Sequence, residues 1–131
     1  MFFRKKGFFG YKLLLLSLLI LLVACGSTSA DPGTSSHQVH MSNTSFAQAS
    51  ITIKKGESVT LVADTLVAHI IANGTWANNT PEPSKESGAP VIDNVSVGGN
   101  SSESIGPFTS AGSFKLYCTI HPGMSLTVIV Q

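Results

Sequence analysis

The sequence predicts an all-β domain, a sandwich or barrel of about seven to eight short strands, over residues 37–131. Apolar residues in this region alternate with a period of two, as in the late run Leu126, Val128 and Val130. The alternating runs are rich in β-branched residues and are separated by glycine-containing turn signals. No stretch shows a convincing helical pattern, so the strands must bury their apolar faces against each other.

The elements follow from these runs and turns in chain order. We predict strands near residues 37–43, 50–55, 58–63, 67–72, 91–97, 102–106, 113–118 and 125–131. Lys55-Gly56, Gly98-Gly99-Asn100 and Ala111-Gly112 supply turns between them. The segment 76–90, WANNTPEPSKESGAP, is the one long irregular stretch, and loops of this length are often functional or disordered.

The N-terminus carries a targeting signal. The basic start MFFRKKGFFGYK precedes LLLLSLLILLVA, an apolar run too short for a stable transmembrane anchor. Leu22-Val23-Ala24-Cys25 then resembles the lipobox of bacterial lipoproteins, which predicts a signal peptide over 1–24 and lipidation of Cys25. The segment 25–36 is small and polar and predicts a flexible tether. The implied location is extracytoplasmic, with the protein lipid-anchored to the bacterial cell membrane; an ordinary signal peptide is the alternative.

Charge and cysteine content limit the functions that the protein can have. After removal of 1–24, four lysines face seven acidic residues, a net charge of about −3. Nucleic acid is therefore excluded as a partner, since phosphate binding needs clustered Lys and Arg, and we expect a monomer. If Cys25 is lipidated, Cys118 is a lone thiol in an exported protein, which calls for an explanation. A Cys25–Cys118 disulfide is the alternative.

Three kinds of metal-ligand residue lie close together in the run YCTIHPGM. Cys118 closes an apparent strand, SFKLYC, and His121 and Met124 follow in a turn that contains Pro122 and Gly123. A strand end that leads into a tight turn can direct three side chains to one point. Each residue alone has a structural explanation, as a buried thiol, a turn histidine or a core methionine. The three together indicate a metal site.

A fourth ligand must come from elsewhere in the chain, and His37, His40 and His69 are the candidates. His69 lies in the apolar run LVAHIIANG, where a buried imidazole needs a partner. His37 and His40 are three apart on a polar strand and face opposite sides, so they do not form one compact site. A surface patch for copper capture at HQVHM is the alternative to two exposed strand histidines. His69 is the better fourth ligand.

The chemistry of this set is that of copper. A thiolate, two imidazoles and a weak thioether form a blue-copper electron-transfer site, whereas zinc gains little from methionine. The set provides no open position for a water, so substrate chemistry at the metal is not expected. Binuclear copper sites need a second nearby cysteine, and multicopper enzymes need more than the four histidines present. The sequence therefore predicts that the protein is not an enzyme.

The C-x2-H-x2-M loop, the upstream strand histidine and the lead-in ITIKKGESVTLVA resemble the cupredoxins, especially the amicyanin and plastocyanin branch. The resemblance covers roughly residues 46–131. It implies a Greek-key β-sandwich with one mononuclear type 1 copper near one end, held by His69, Cys118, His121 and Met124. It also implies an apolar electron port around His121, for which Pro122, Gly123 and Pro107 are candidates.

One departure from the family concerns the residue after His69. The family often has Asn or Asp there, which ties the two ligand-bearing segments together, whereas this chain has Ile70. Asn73 is the candidate to supply that contact, and such neighbouring groups retune metal sites. The predicted function is a membrane-tethered carrier of single electrons between redox protein partners; the alternative is capture or delivery of copper as cargo.

Overall fold

The computed structural model describes residues 37–131. The predicted signal peptide (1–24), the lipidation site Cys25 and the tether (25–36) lie outside the described residues. Within the described range, no helix is long and apolar enough to cross a membrane.

Nine strands account for the fold of residues 37–131. In chain order they are β1 (His37–Met41), β2 (Ser50–Ile53), β3 (Val59–Ala63), β4 (His69–Ala77), β5 (Thr80–Pro83), β6 (Val95–Val97), β7 (Ser102–Ile105), β8 (Gly112–Cys118) and β9 (Ser125–Val130). The all-β prediction is confirmed, with one strand more than the upper number expected.

The strands form two sheets that pack as a sandwich. The smaller sheet has the order β1-β3-β7, with β1 and β3 parallel. The larger has the order β2-β9-β8-β4, to which β5 and β6 both add on β4. Long antiparallel pairing of β8 with β9, from Gly112–Val130 to Tyr117–Ser125, forms the centre of this sheet.

The core lies between the inward faces of the two sheets. The burial pattern of β9 alternates strictly, with Leu126, Val128 and Val130 buried and their neighbours half-buried, as the sequence pattern predicts. The largest fully buried side chains include Phe108 and Phe114, whose rings lie 6.0 Å apart. Burial of this apolar surface is the main force that holds the sheets together.

The segment 76–90 corrects the sequence prediction, because part of it is regular. β4 continues to Ala77 and returns as β5, and the two residues between them, Asn78 and Asn79, have φ values of 49° and 60°. Such left-handed pairs make the tight turn favoured in two-residue hairpins, and asparagine tolerates them. Every residue of β5 is exposed, so the strand shows no apolar alternation. Strand 91–97 was also predicted too long, since only Val95–Val97 is extended.

Candidate metal centre

β4 begins at the buried histidine of the predicted site. His69 is 0% exposed and pairs with Val97 of β6. Ile71, two residues later, is also fully buried, because alternate residues of a strand face the same side. The apolar run that contains His69 therefore forms a core-facing strand and carries the imidazole into the interior at the strand's first residue.

The thiol comes from the adjacent strand. Cys118 is the last residue of β8 and lies opposite Ile71 of β4, so its side chain faces the same core. It is fully buried and is a free thiol. Sγ lies 3.9 Å from Nδ1 of His69. Pairing of β4 with β8 thus places two predicted ligands, 49 residues apart in sequence, beside each other.

The loop 119–124 returns the chain to the same point. The amide of Cys118 donates to the carbonyl of Met124 at 3.0 Å, and the amide of Met124 donates to that of His121 at 3.2 Å. Gly123 has φ +81°, which a glycine adopts without strain. The result is a tight turn that brings Nδ1 of His121 to 3.3 Å from Sγ of Cys118.

The donor atoms converge. One donor atom each from His69, Cys118 and His121 lies within 4.8 Å of the others, and residues 37–131 contain no other such group of three His, Cys, Asp or Glu side chains. The two imidazoles meet edge to face with ring centroids 4.9 Å apart. Met124 is 2% exposed, and its backbone is hydrogen-bonded to both of the other loop ligands.

Burial sets the protonation of the inner histidine. Loss of hydration lowers the pKa of His69, the nearby His121 ring lowers it further, and the backbone of Ser42 opposes part of this change. A neutral imidazole keeps a lone pair free on one nitrogen, which is the form that binds a metal. His69 therefore presents a lone pair at neutral pH without first having to lose a proton.

The donor set fits copper. A cysteine sulfur and two imidazole nitrogens that face one point, with a buried thioether on the same loop, match the soft and borderline ligands of a blue-copper site. The structure brings the predicted ligands His69, Cys118 and His121 together, and Met124 lies where the loop returns to β9.

The surface around the site differs from the prediction in one residue. Pro122 and Gly123 are exposed beside the half-buried His121. Pro107 instead precedes Phe108, whose amide donates to the carbonyl of Glu57 in the turn between β2 and β3.

That turn lies at the other end of the sandwich. The backbone amide of Lys55 donates to the carbonyl of Gln131. The preceding residue, Val130, pairs with Gly112 at the start of β8. Cys118 ends the same strand, about 20 Å away at the usual rise per residue. Pro107 is therefore not part of the surface around His121, and the expectation that it belongs to the electron port is wrong.

Two exposed apolar residues that the sequence analysis missed lie in the loops that lead into or carry the ligands. Leu66 is 85% exposed in the loop that leads into His69, and Ile120 is 48% exposed within the ligand loop. The sequence shows that these loops contain large apolar residues, but it does not show that they are exposed, because exposure depends on the tertiary structure. Val91, at 77%, is the remaining large apolar residue exposed within 37–131.

The other two histidines are paired with carboxylates at separate places. Nε2 of His37 lies 2.7 Å from Glu57, and Nδ1 of His40 lies 2.8 Å from Asp64. The prediction that they do not form one compact site is confirmed.

The link between the ligand-bearing segments is not made by Asn73. Its side-chain oxygen accepts the amide of Ile92 at 2.7 Å. The segments are joined instead by the amide of Thr119, which donates to the carbonyl of Ile70 at 2.8 Å. A backbone contact thus replaces the side-chain contact expected of Asn73.

Fold and site together define a class, the β-sandwich proteins with a mononuclear copper site, and comparison with known proteins agrees. The sequence model of a family described as "copper binding proteins, plastocyanin/azurin family" matches residues 34–131. The chain therefore belongs to this family. With the ligand set above, this assigns one type 1 copper as the cofactor, held by His69, Cys118, His121 and Met124.

Solved structures show the same fold. Amicyanin from Paracoccus versutus (Thiobacillus versutus) is 25% identical, with a TM-score of 0.57 over 78% of this chain and 87% of that chain. A purple cupredoxin from Nitrosopumilus maritimus is 20% identical, with a TM-score of 0.55 over 72% of this chain and 98% of that chain. Among curated protein sequences, none matches the chain significantly.

Proposed function

We propose that this protein is a membrane-tethered blue copper protein that passes single electrons between redox proteins outside the cytoplasm. The observation that carries the proposal is the convergence of a buried thiol and two imidazoles within 4.8 Å on a loop and two paired strands. Bound copper would supply a centre that gains or loses one electron. The residues supply a closed ligand set, which leaves no position for a substrate.

Burial of the ligands supports a fixed cofactor rather than a cargo. Cys118 and His69 are fully buried, and the loop that carries His121 is hydrogen-bonded at both ends. Rigid ligands that change little between oxidation states keep electron transfer fast, whereas a delivery protein needs ligands that open. The same closed set supports the expectation that the protein is not an enzyme.

The His121 face supports exchange with other proteins. His69, Cys118 and Met124 are buried, whereas His121 is half-buried, so His121 is the most exposed of the four ligand residues. Ile120 and Pro122, which flank His121 in the loop, are exposed apolar residues, and so is Leu66 in the loop that leads into His69. Exposed apolar residues beside a ligand permit brief contacts with several partners, because little polar surface must be desolvated.

Copper titration of the purified protein tests the ligand assignment. We expect an intense thiolate-to-copper absorption band and a narrow parallel hyperfine splitting in the EPR spectrum. Both should be lost in Cys118→Ser and strongly altered in His69→Gln and His121→Gln. The matched controls are His37→Gln and His40→Gln, which should leave both spectra unchanged. A colourless protein that binds only Cu(I) would refute the electron-carrier proposal and favour a role in copper handling.

Membrane tethering is a separate proposal that rests on the lipobox-like run LVAC at residues 22–25. Expression in a bacterial host with a labelled fatty acid, followed by detergent phase separation, tests it. The wild type and Cys118→Ser should carry the label and enter the detergent phase. Cys25→Ser should do neither, and equal partitioning of all three would refute the anchor.

A further inference from the structure

β4 separates from β8 after Asn73, and residues 74–83 then form the β4–β5 hairpin. β4 pairs with β8 only from Ile71 to Asn73, after which Gly74 pairs with β5 instead. The amide of Lys115, left without β4, donates to the carboxylate of Glu86 at 3.2 Å. The hairpin is thus free to lie across the outer face of β8 and β9.

Close packing fixes the place where the hairpin crosses. Gly74 has φ +134°, and a side chain there would meet Tyr117 at 2.8 Å and Pro83 at 2.9 Å. Tyr117 consequently lies beneath the hairpin and is only 4% exposed, with its ring edge to face with Trp76 at 6.0 Å. Only glycine permits this approach.

The hairpin contacts both ends of the ligand loop. Nε1 of Trp76 donates to the carbonyl of Cys118, where the loop begins, at 2.8 Å. The amide of Trp76 donates to the hydroxyl of Ser125, directly after the loop's last ligand, at 3.2 Å. Thr75 adds a hydroxyl contact to Ser125 at 3.3 Å. Trp76 therefore bonds to the residue at each end of the loop, to Cys118 through its side chain and to Ser125 through its backbone amide.

The loop is hydrogen-bonded at its two ends, while three of the residues between them face solvent. Ile120, Pro122 and Gly123 are exposed, and fixing the backbone of one residue costs about 1–2 kcal/mol. Contacts that restrain the loop ends reduce the entropy that the ligands lose when they bind a metal. Supporting contacts of this kind are what keep a site preorganised.

We propose that Trp76 and Ser125 are positioning residues that hold the ligand loop in its copper-binding conformation before copper is bound. The side-chain hydrogen bond of Trp76 is made to a backbone carbonyl and not to a ligand atom. It acts through the carbonyl of Cys118, and Ser125 acts through the start of β9. Loss of either contact should leave the ligands present but mobile.

Amide hydrogen exchange in the metal-free protein tests this directly, without any electron-transfer assay. Trp76→Phe keeps an aromatic ring against Tyr117 but removes the donor. We expect the amides of Thr119 and Met124 to exchange about fivefold faster relative to those of the β8–β9 ladder. This converts to about 1 kcal/mol, the usual contribution of one hydrogen bond. Cu(I) affinity should fall by a similar factor.

Controls separate positioning from general stability. Thr80→Ala, at an exposed site in the same hairpin, should change neither loop exchange nor affinity. Ser125→Ala should reproduce the effect of Trp76→Phe, and Ser125→Thr, which keeps the hydroxyl, should restore wild-type exchange. Equal acceleration of loop and ladder amides would mean that Trp76 is only a packing residue. Unchanged loop exchange in both Trp76→Phe and Ser125→Ala would equally overturn the proposal.

Discussion

Replacement of Gly74 by alanine should destabilise the protein more than replacement of any uncrowded glycine. The new methyl group would be placed against the backbone of Glu82 and Pro83 and against the ring of Tyr117. Two of these three neighbours are backbone atoms that cannot rotate away. The hairpin must therefore move, or the strand must accept the strain.

The size of the effect follows from two terms. A non-glycine residue at φ +134° costs of order 1–3 kcal/mol, and overpacking at a closely packed site costs about 1–3 kcal/mol more. The sum of about 2–6 kcal/mol is a large part of the 5–15 kcal/mol by which domains are usually stable. Gly56 is the matched control, because its φ is +88° but no atom lies within 4 Å of the added group.

Thermal unfolding of the metal-free protein, followed by circular dichroism, measures the difference. Gly56→Ala reports the backbone strain alone, so Gly74→Ala should unfold about 10 °C lower still, at about 4–8 °C per kcal/mol for a domain of this size. Equal midpoints for the two variants would show that the hairpin is not held closely against Tyr117, and would refute the packing argument.

Three further predictions concern pH, the His121 face and the core. Because the folded-state pKa of His69 is lowered, the unfolded chain binds more protons as pH falls through 6.5, so the metal-free protein should lose stability between pH 7.5 and 5. Urea midpoints should show this loss reduced in His69→Gln; an identical loss would assign it elsewhere. Ile120→Lys should slow electron self-exchange about tenfold with an unchanged spectrum, because two like charges then meet where the ring edges approach. Val91→Lys, at an exposed apolar position outside the ligand loops, should not slow self-exchange. Equal slowing in both variants would show that electrons do not pass through the His121 face. Phe114→Ala, at a 2% exposed core position, should lower the free energy of unfolding by about 3–5 kcal/mol in denaturant titration; a cost under 1 kcal/mol would contradict the core assignment.

The strands with alternating apolar residues were predictable because burial of one face leaves a period of two in the sequence. β9 shows this clearly, and its bounds differ by a single residue from the expected 125–131. β5 was not predictable in the same way, since all four of its residues are exposed and only backbone pairing defines it. The Asn78-Asn79 pair was its one local signal, as a turn that tolerates left-handed conformations.

Much of the metal centre was also contained in local sequence. Cys118, His121 and Met124 lie at the end of β8 and on the short loop that follows it, so their spacing alone indicates a common site. His69 could be chosen over His37 and His40 because it lies in an apolar run and they do not. The expectation for Pro107 was wrong because the sequence does not show at which end of the sandwich the residues after β7 lie. That depends on the pairing of β3 with β7.

The sequence by itself determined the all-β class and the ligands Cys118, His121 and Met124, because these depend on residue types at short spacing, and it indicated His69 through its apolar run. The targeting signal at the N-terminus stays a prediction. Only the tertiary structure decided which residues surround the site: the contact of Trp76 with Cys118, the exposed Leu66 and the distance of Pro107. These contacts depend on how strands far apart in sequence pair and cross. The sequence of a strand indicates its distant neighbours only through the polarity of its two faces.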